Sequence, residues 1–259
     1  MTLTELANPT RFLALTARLL PWLAALTALV LATGLAQSAL APDDYQQGAT
    51  VKIMFIHVPN AWLSMFVWTV MSIASLGTLV WRHPLADVAA KAAAPLGAAF
   101  TFLALVTGSL WGRPMWGTYW EWDARLTSVL ILFLMYLGLI ALWRAVEDPS
   151  RAARAAAVLT LVGALNLPII KFSVDWWNTL HQPASVLRLG GSTLDRAFLI
   201  PLLVMAAGFT LLFVTLHLAA MRNEILRRRV RSLQMMQARA FASDVSPGTR
   251  GAPTQVGAV

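Results

Sequence analysis

The sequence predicts an all-α polytopic membrane protein. Of its 259 residues, 58% are hydrophobic and 12% are charged, and this charged share is about half that of an average soluble domain. The apolar residues form several runs of about twenty, the length that a helix needs to cross a hydrocarbon core of about 30 Å. These runs do not alternate between apolar and polar residues as the strands of a membrane barrel do. Because a helix satisfies its own backbone hydrogen bonds, we expect the chain to cross the bilayer as helices.

Six runs are long and apolar enough to be membrane spans. They lie at about 18–38, 59–81, 93–112, 126–144, 155–171 and 197–220. The fifth has the weakest signal, because it is short and carries Asn166 and Pro168 in its second half. The first resembles a signal peptide with Ala36 and Ser38 at the cleavage site. Its apolar core is longer than that of a usual signal, so we expect an uncleaved anchor.

The uneven distribution of the twenty Lys and Arg residues predicts the orientation. Fourteen lie in the N-terminal segment, in the connections after the second and fourth spans, and in the C-terminal tail, against six at the other connections. By the positive-inside rule, both termini are cytoplasmic and the connections at 39–58, 112–125 and 172–196 face outward. The net charge of +8 therefore reflects topology and not nucleic-acid binding.

We divide the chain into a six-helix membrane domain at 1–225 and a cytoplasmic tail at 226–259. A basic, helix-compatible segment begins near residue 222, and such a segment could lie on anionic lipid. The chain ends with SDVSPGTRGAPTQVGAV, which is small and polar and is expected to be disordered. The absence of cysteine excludes disulfides and thiolate metal sites on this chain.

Two of the four histidines lie in predicted outward-facing connections. His57 lies in KIMFIHVPNAW, and His181 lies in KFSVDWWNTLHQPASVL. Both stretches are rich in apolar or aromatic residues, with Trp176 and Trp177 near His181. A loop histidine that only needed water would not require such neighbours, so we expect both to bind a ligand.

The remaining outward-facing connection contains a dense aromatic cluster, WGTYWEWDARLTS at 116–128. Its three tryptophans fall within seven positions and are interleaved with Glu121. On a helix, one face would carry Trp116, Tyr119, Trp120 and Asp123. This face would be an aromatic ledge that ends in a carboxylate. Interfacial tryptophans often serve only as membrane anchors, and that interpretation stays open.

These features fit a large, flat, apolar ligand with a metal at its centre. Imidazole is a common axial ligand of heme iron, and aromatic rings pack against the porphyrin. A guanidinium matches the carboxylate of a heme propionate. The candidate arginines are Arg113, Arg125, Arg188 and Arg196. Arg125 is equally well placed to neutralise Asp123.

Three motifs resemble a known family. RPMWGTYWEWDARLTS resembles the tryptophan-rich WWD segment of heme-handling membrane proteins in cytochrome c biogenesis. Its WDARLTS continuation, IMFIHVPNAW and SVDWWNTLHQ are similar to the motifs of the heme exporter protein C family, the cytochrome c maturation proteins CcmC. The resemblance covers about residues 10–225. Two positions depart from the pattern, with Tyr119 where tryptophan is frequent and Glu121 where we expect an apolar residue.

The resemblance implies heme b (iron protoporphyrin IX) as the cofactor, with His57 and His181 as axial ligands of its iron. It implies that the WWD segment cradles the heme and engages the periplasmic heme chaperone CcmE. The matching residues of this segment are Trp116, Gly117, Trp120, Trp122 and Asp123. Together with Tyr119, Arg125, Trp176, Trp177 and Arg188, these residues and the two histidines are the predicted site.

The resemblance also implies a location and partners. Family members lie in the bacterial inner membrane, with the heme site facing the periplasm. They work with the ABC-type subunits CcmA and CcmB and with the small membrane protein CcmD. The chaperone is loaded covalently with heme, and ATP hydrolysis by the partners releases it.

The sequence contains no evident nucleophile–base pair, phosphate-binding glycine loop or carboxylate dyad, so we expect a heme-positioning platform rather than an enzyme. Three other functions stay open. A cytochrome c heme lyase, which attaches heme directly to apocytochrome, also carries a WWD segment. A b-type cytochrome usually has its histidines inside the spans, where His217 is the candidate here. A permease subunit with interfacial tryptophans would bind no heme.

Overall fold

A computed structural model describes residues 8–182, 185–186 and 190–244, with side chains as far as Phe241. The described residues fold into seven α-helices and one short 3-10 helix. The helices are α1 (Pro9–Leu40), α2 (Met54–Leu79), α3 (Ala86–Trp116), α4 (Ala124–Ala145), α5 (Pro149–Gly163), α6 (Asn166–Trp176) and α7 (Arg196–Asp244). The 3-10 helix, Ala49–Ile53, leads directly into α2. The predicted all-α class is therefore confirmed. The segment expected to be disordered begins at Ser243, but Ser243 and Asp244 end α7, and its remaining residues lie outside the described residues.

Six helical segments among the described residues are long and apolar enough to cross a membrane, as predicted. Each extends past its predicted span at one or both ends. The fifth consists of α5 and α6, which are separated at residues 164–165. Pro168 lies in the first turn of α6, where its missing N–H costs little, whereas inside one continuous helix it would remove a backbone hydrogen bond. The break between α5 and α6 thus places Pro168 where proline is tolerated.

The ends of the helices follow from local sequence signals. Asn8, Asp123 and Asp148 cap α1, α4 and α5, each accepting backbone N–H groups with its side chain, as residues of this type do at N-caps. Gly117 ends α3 in the left-handed region, with φ of 77°, a conformation that glycine adopts without steric cost.

The expected helical ledge in the WWD segment is therefore wrong. Gly117 terminates α3 and Asp123 starts α4, so residues 117–123 form a turn without helical spacing. Thr118 stabilises this turn, because its hydroxyl lies 2.9 Å from the Trp120 carbonyl and 3.3 Å from the Trp120 N–H. The aromatic residues are brought together by a folded loop and not by one helix face.

Small residues on α3 allow α2 and α4 to pack closely against it. Its buried residues include many alanines and Gly97, and such residues permit close helix approach in membranes. A Cβ on Gly97 would overlap the ring of Tyr136. Tyr136 is fully buried and donates its hydroxyl to the Ser64 carbonyl of α2 at 2.8 Å. Trp68 lies against Tyr136 and donates to the Thr160 carbonyl of α5 at 3.0 Å.

The opposite end of the bundle from the WWD turn is held by charge. Glu224 of α7 is buried and pairs with Lys91 of α3 at 3.1 Å and with Arg228 at 2.9 Å. Arg228 also pairs with Asp87 at 2.8 Å. The basic segment near residue 222 is helical and continuous with the sixth span, and it is exposed at 231–241. Its first turns are thus anchored to α3, and the residues after them are exposed.

Candidate functional site

A cavity of about 610 Å³ lies among the ends of α2, α3, α4 and α6. Its volume is within the range of small-molecule and cofactor sites. Five of the predicted site residues line it: His57, His181, Trp116, Trp120 and Arg125. They come from separate stretches of the chain, so the fold brings together what the sequence places more than a hundred residues apart.

His57 lies inside α2, in its first turn, and not in the loop where it was expected. The 3-10 helix Ala49–Ile53 continues into α2 and carries the histidine into the helix. Its Nδ1 lies 3.1 Å from the Ala104 carbonyl and 3.2 Å from the Thr107 hydroxyl of α3. A carbonyl can only accept, so Nδ1 carries the proton and the Nε2 lone pair remains available. Gly108 makes room for the ring, since a Cβ there would lie 2.8 Å from His57 Cε1.

A carboxylate holds His181 in the same tautomer as His57, with the proton on Nδ1. Its Nδ1 lies 3.3 Å from Asp123 Oδ2. A carboxylate accepts, so Nδ1 is the donor and Nε2 is again the nitrogen with the free lone pair. Thr179 donates its hydroxyl to the same Asp123 oxygen and accepts the His181 backbone N–H at 3.1 Å. The Trp116 ring packs edge-on against the imidazole, with 4.9 Å between ring centroids.

The pKa values of this pair favour a carboxylate beside a neutral imidazole. Burial alone raises the pKa of Asp123, but hydrogen bonds from Thr179 and the Leu126 N–H, together with His181, bring it below its ordinary value. Burial lowers the pKa of His181 from 6.5, although Asp123 acts in the opposite direction. At neutral pH His181 is therefore an uncharged ring able to act as a ligand.

Two further aromatic residues define the cavity. Trp111 packs edge-on against His57 at 5.7 Å and donates its N–H to Gln47 at 2.9 Å. Trp120 lines the cavity with an indole N–H that is buried and has no hydrogen-bond partner among the described residues. Because buried donors are nearly always paired, the Trp120 N–H is a free donor for an acceptor on a bound ligand.

Arg125 is one of two cationic side chains that line the cavity, and Lys171 is the other. Its guanidinium donates to Ser173 Oγ at 3.3 Å and to the Ile170 and Lys171 carbonyls at 3.4 and 3.3 Å. These bonds tie α4 to α6. No ion pair between Arg125 and Asp123 is present among the described residues, and Nη1 has no hydrogen-bond partner there. The guanidinium therefore keeps donors for an anionic group in the cavity.

The other predicted residues lie beside the cavity rather than on its described lining. Trp122 is 74% exposed, and its ring contacts Trp120 at 5.4 Å. Tyr119 is also exposed and lies under Arg113. Trp176 and Trp177 contact each other at the surface. Gly117 forms the turn that ends α3, and Arg188 lies outside the described residues.

Sequence reasoning missed Trp111, Gln47, Thr107 and Thr179. Trp111 ends an apolar run, where a tryptophan usually indicates an interfacial anchor. Gln47 and the two threonines act through contacts with residues from other parts of the fold or across a short turn, which no spacing pattern reveals. The sequence signal for Trp111 was its position just before the WWD segment.

His217 is a poor alternative ligand in this arrangement. Its Nε2 lies 2.9 Å from the Ala89 carbonyl, and its ring stacks on Phe213. Nε2 is therefore a donor and Nδ1 keeps the lone pair, but Ala89 lies at the end of α3 away from the cavity, and His217 is not on the described cavity lining. Within the described part of the chain, no group of three or more His, Cys, Asp or Glu residues is arranged to hold a bare metal ion. Two imidazole nitrogens and aromatic walls instead suit a planar metal complex.

Comparisons with known proteins agree with the three sequence motifs. The family model for heme exporter protein C matches residues 2–236. The chain is 86% identical to the heme exporter protein C of Bradyrhizobium diazoefficiens over the full length of both. It is 48% identical to that of Paracoccus denitrificans, over 93% of this chain and all of the relative, and 49% identical to that of Escherichia coli K12, over 87% and 91%. The resemblance is thereby confirmed, and the chain belongs to the heme exporter protein C family.

Proposed function

We propose that this protein binds heme b at the outer face of the bacterial inner membrane and presents it to the periplasmic chaperone CcmE for covalent loading. The observation that carries the proposal is the shared cavity of His57 and His181. Each ring donates Nδ1–H to a protein acceptor and keeps its Nε2 lone pair. Histidine is a common ligand of metals such as heme iron. The ring nitrogen that does not bind the metal is then usually fixed by a hydrogen bond to the protein.

The cavity residues also fit the rest of a heme molecule. Aromatic rings at Trp111, Trp116 and Trp120 provide apolar walls for a porphyrin face. The unpaired Trp120 N–H and the Arg125 guanidinium are donors suited to the propionates, since charged hydrogen bonds to carboxylates are strong. The relatives carry the name heme exporter protein C, which associates those proteins with heme. Heme supplies the iron centre, and this chain supplies ligands, walls and anion-binding groups.

The exposed aromatic residues suit a transient partner surface. Trp122 and Tyr119 are exposed next to Trp120, whose indole lines the cavity. Tyrosine and tryptophan are enriched at protein interfaces, where they bury large area with few rotatable bonds. We propose that CcmE approaches over this turn and reaches the heme edge beside Trp120.

The energy for releasing the loaded chaperone comes from other subunits in this proposal. None of the three lysines follows a glycine, so the sequence has no Walker A motif. We propose that CcmA and CcmB supply the ATPase and that CcmD completes the complex, with both termini of this chain in the cytoplasm. The platform itself then performs no chemistry that requires its own nucleophile.

Covalent heme on the chaperone is the test. The chain is coexpressed with CcmA, CcmB, CcmD and CcmE, and denatured proteins are stained for heme on a gel. We expect heme on CcmE with the unaltered chain and none with His57→Ala or His181→Ala. His83→Ala is the matched control, because His83 lies in the turn at the other end of the bundle and contacts the Leu85 N–H. Normal loading in both site variants would overturn the proposal, and heme on a Cys-x-x-Cys-His protein without CcmE would indicate a lyase.

A further inference from the structure

We infer that Asp123 is a positioning residue that fixes the tautomer of His181 and so keeps its Nε2 available to the heme iron. This inference rests on the proposed function, because it assigns a task to one residue of the same site. Asp123 is not on the described lining of the cavity. It acts through His181.

The two carboxylate oxygens of Asp123 have separate tasks. Oδ1 accepts the Leu126 N–H at 2.7 Å and caps α4. Oδ2 accepts Nδ1–H of His181 at 3.3 Å and the hydroxyl of Thr179. Thr179 in turn accepts the backbone N–H of His181 at 3.1 Å. The start of α4 and the orientation of the imidazole are thus set by one side chain.

The two histidines differ in the charge of their partners. Nδ1 of His57 faces a backbone carbonyl and a hydroxyl, which are neutral, whereas Nδ1 of His181 faces a carboxylate. A carboxylate behind a ligating histidine fixes the ring and raises its basicity as a ligand. His181 would therefore be the stronger electron donor of the two, and stronger donation would stabilise ferric over ferrous iron in a bound heme.

An asparagine at position 123 separates these effects from helix capping. Asparagine caps a helix about as well as aspartate, so its amide oxygen can replace Oδ1 at the Leu126 N–H. The NH₂ group then faces Nδ1 of His181 and can only donate. That contact favours the tautomer with hydrogen on Nε2. A protonated Nε2 has no lone pair with which to bind iron. The same exchange in a Ser-His-Asp triad leaves the geometry intact but gives the wrong tautomer.

The test is spectroscopy of the full chain purified with its heme after coexpression with the partner subunits. We expect Asp123→Asn to convert the spectrum from six-coordinate low-spin toward five-coordinate high-spin, with heme affinity about 10- to 100-fold weaker. Added imidazole should restore the low-spin spectrum, as it should for His181→Gly. Thermal unfolding of Asp123→Asn should match that of the unaltered chain. Asp148→Asn, which changes the cap of α5, is the matched control and should alter neither property.

A low-spin spectrum and an unaltered reduction potential in Asp123→Asn would overturn this inference and leave His181 as a ligand. A spectrum that is also unaltered in His181→Gly would instead overturn the proposed function. If Asp123→Asn does not fold, Thr179→Val serves as the second variant, because it removes the hydroxyl that Asp123 and His181 share. We expect Thr179→Val to shift the reduction potential while capping is intact, and no shift would equally overturn the inference.

Discussion

Trp120 is a residue of the cavity lining with a buried polar group that has no hydrogen-bond partner among the described residues. Its buried N–H lines the cavity, and a hydrogen bond to a charged group contributes about 1.5–3 kcal/mol. We therefore expect Trp120→Phe, which keeps an aromatic ring, to weaken heme binding roughly 10- to 150-fold. The measurement is heme titration of the purified apoprotein. Trp122→Phe is the control, because its indole is largely exposed, and equal affinity in both variants would contradict the role of the Trp120 N–H.

His181 gives the site a defined response to pH. Burial holds its pKa below 6.5, so the folded protein keeps the ring neutral at pH values where an unfolded histidine is already protonated. Ligation by His181 should persist at pH 6.5 and be lost as pH falls through the lowered pKa. For the same reason, the contribution of this group to folding is present above pH 6.5 and declines below it. A pH titration of the heme spectrum with its midpoint above 6.5 would contradict this account.

At the residue scale, the sequence identified side chains by their local surroundings. His57 and His181 were predicted to bind a ligand because apolar and aromatic residues surround them. Trp111 and Gln47 were not, because their hydrogen bond joins residues 64 positions apart. The protonated nitrogen of each histidine also depends on Ala104 and Asp123, which become neighbours only in the folded chain.

At the scale of elements, α3 carries the packing that holds the site. Gly97 contacts the buried Tyr136 ring, which cannot move without breaking its bond to the Ser64 carbonyl. Overpacking of this kind costs about 1–3 kcal/mol, so Gly97→Ala should lower the thermal unfolding midpoint in detergent. Gly138→Ala is the control, because a Cβ there meets nothing within 4 Å. An unchanged midpoint for Gly97→Ala would contradict this prediction, because it would show that an added methyl group fits beside the Tyr136 ring.

The WWD segment shows where sequence periodicity fails. Its spacing predicted a helix face. Gly117 instead ends α3 and Asp123 begins α4, both within seven residues. The break between α5 and α6 was only hinted at by Asn166 and Pro168. By contrast, the six apolar spans were predictable, because the length of a membrane helix is fixed by the bilayer. Short connections depend on caps and contacts that a hydropathy pattern does not contain.

The whole molecule has two different ends. The cavity and the WWD turn lie at one end of the bundle, and the paired charges around Glu224 lie at the other. We propose that the cavity end faces the periplasm, as the positive-inside rule predicts. This assignment can be checked directly, because the chain has no cysteine and each introduced cysteine reports a single position.

We expect a membrane-impermeant maleimide to label Gln46→Cys in intact spheroplasts. Ser232→Cys should react only after permeabilisation, because it lies on the exposed part of α7 at the opposite end. Both positions are exposed in the fold, so a difference in labelling reports the side of the membrane. The reverse pattern would place the cavity in the cytoplasm and exclude loading of a periplasmic chaperone from it.

The central claim is that His57 and His181 together hold the heme iron. The most direct measurement is the absorption spectrum of the detergent-purified protein, coexpressed with its partners and with a chaperone that lacks its heme-attaching histidine, so that heme is retained here. We predict a sharp low-spin Soret band that shifts or collapses in both His57→Ala and His181→Ala. A Soret band that is the same in both variants as in the unaltered protein would contradict the claim and place the iron elsewhere.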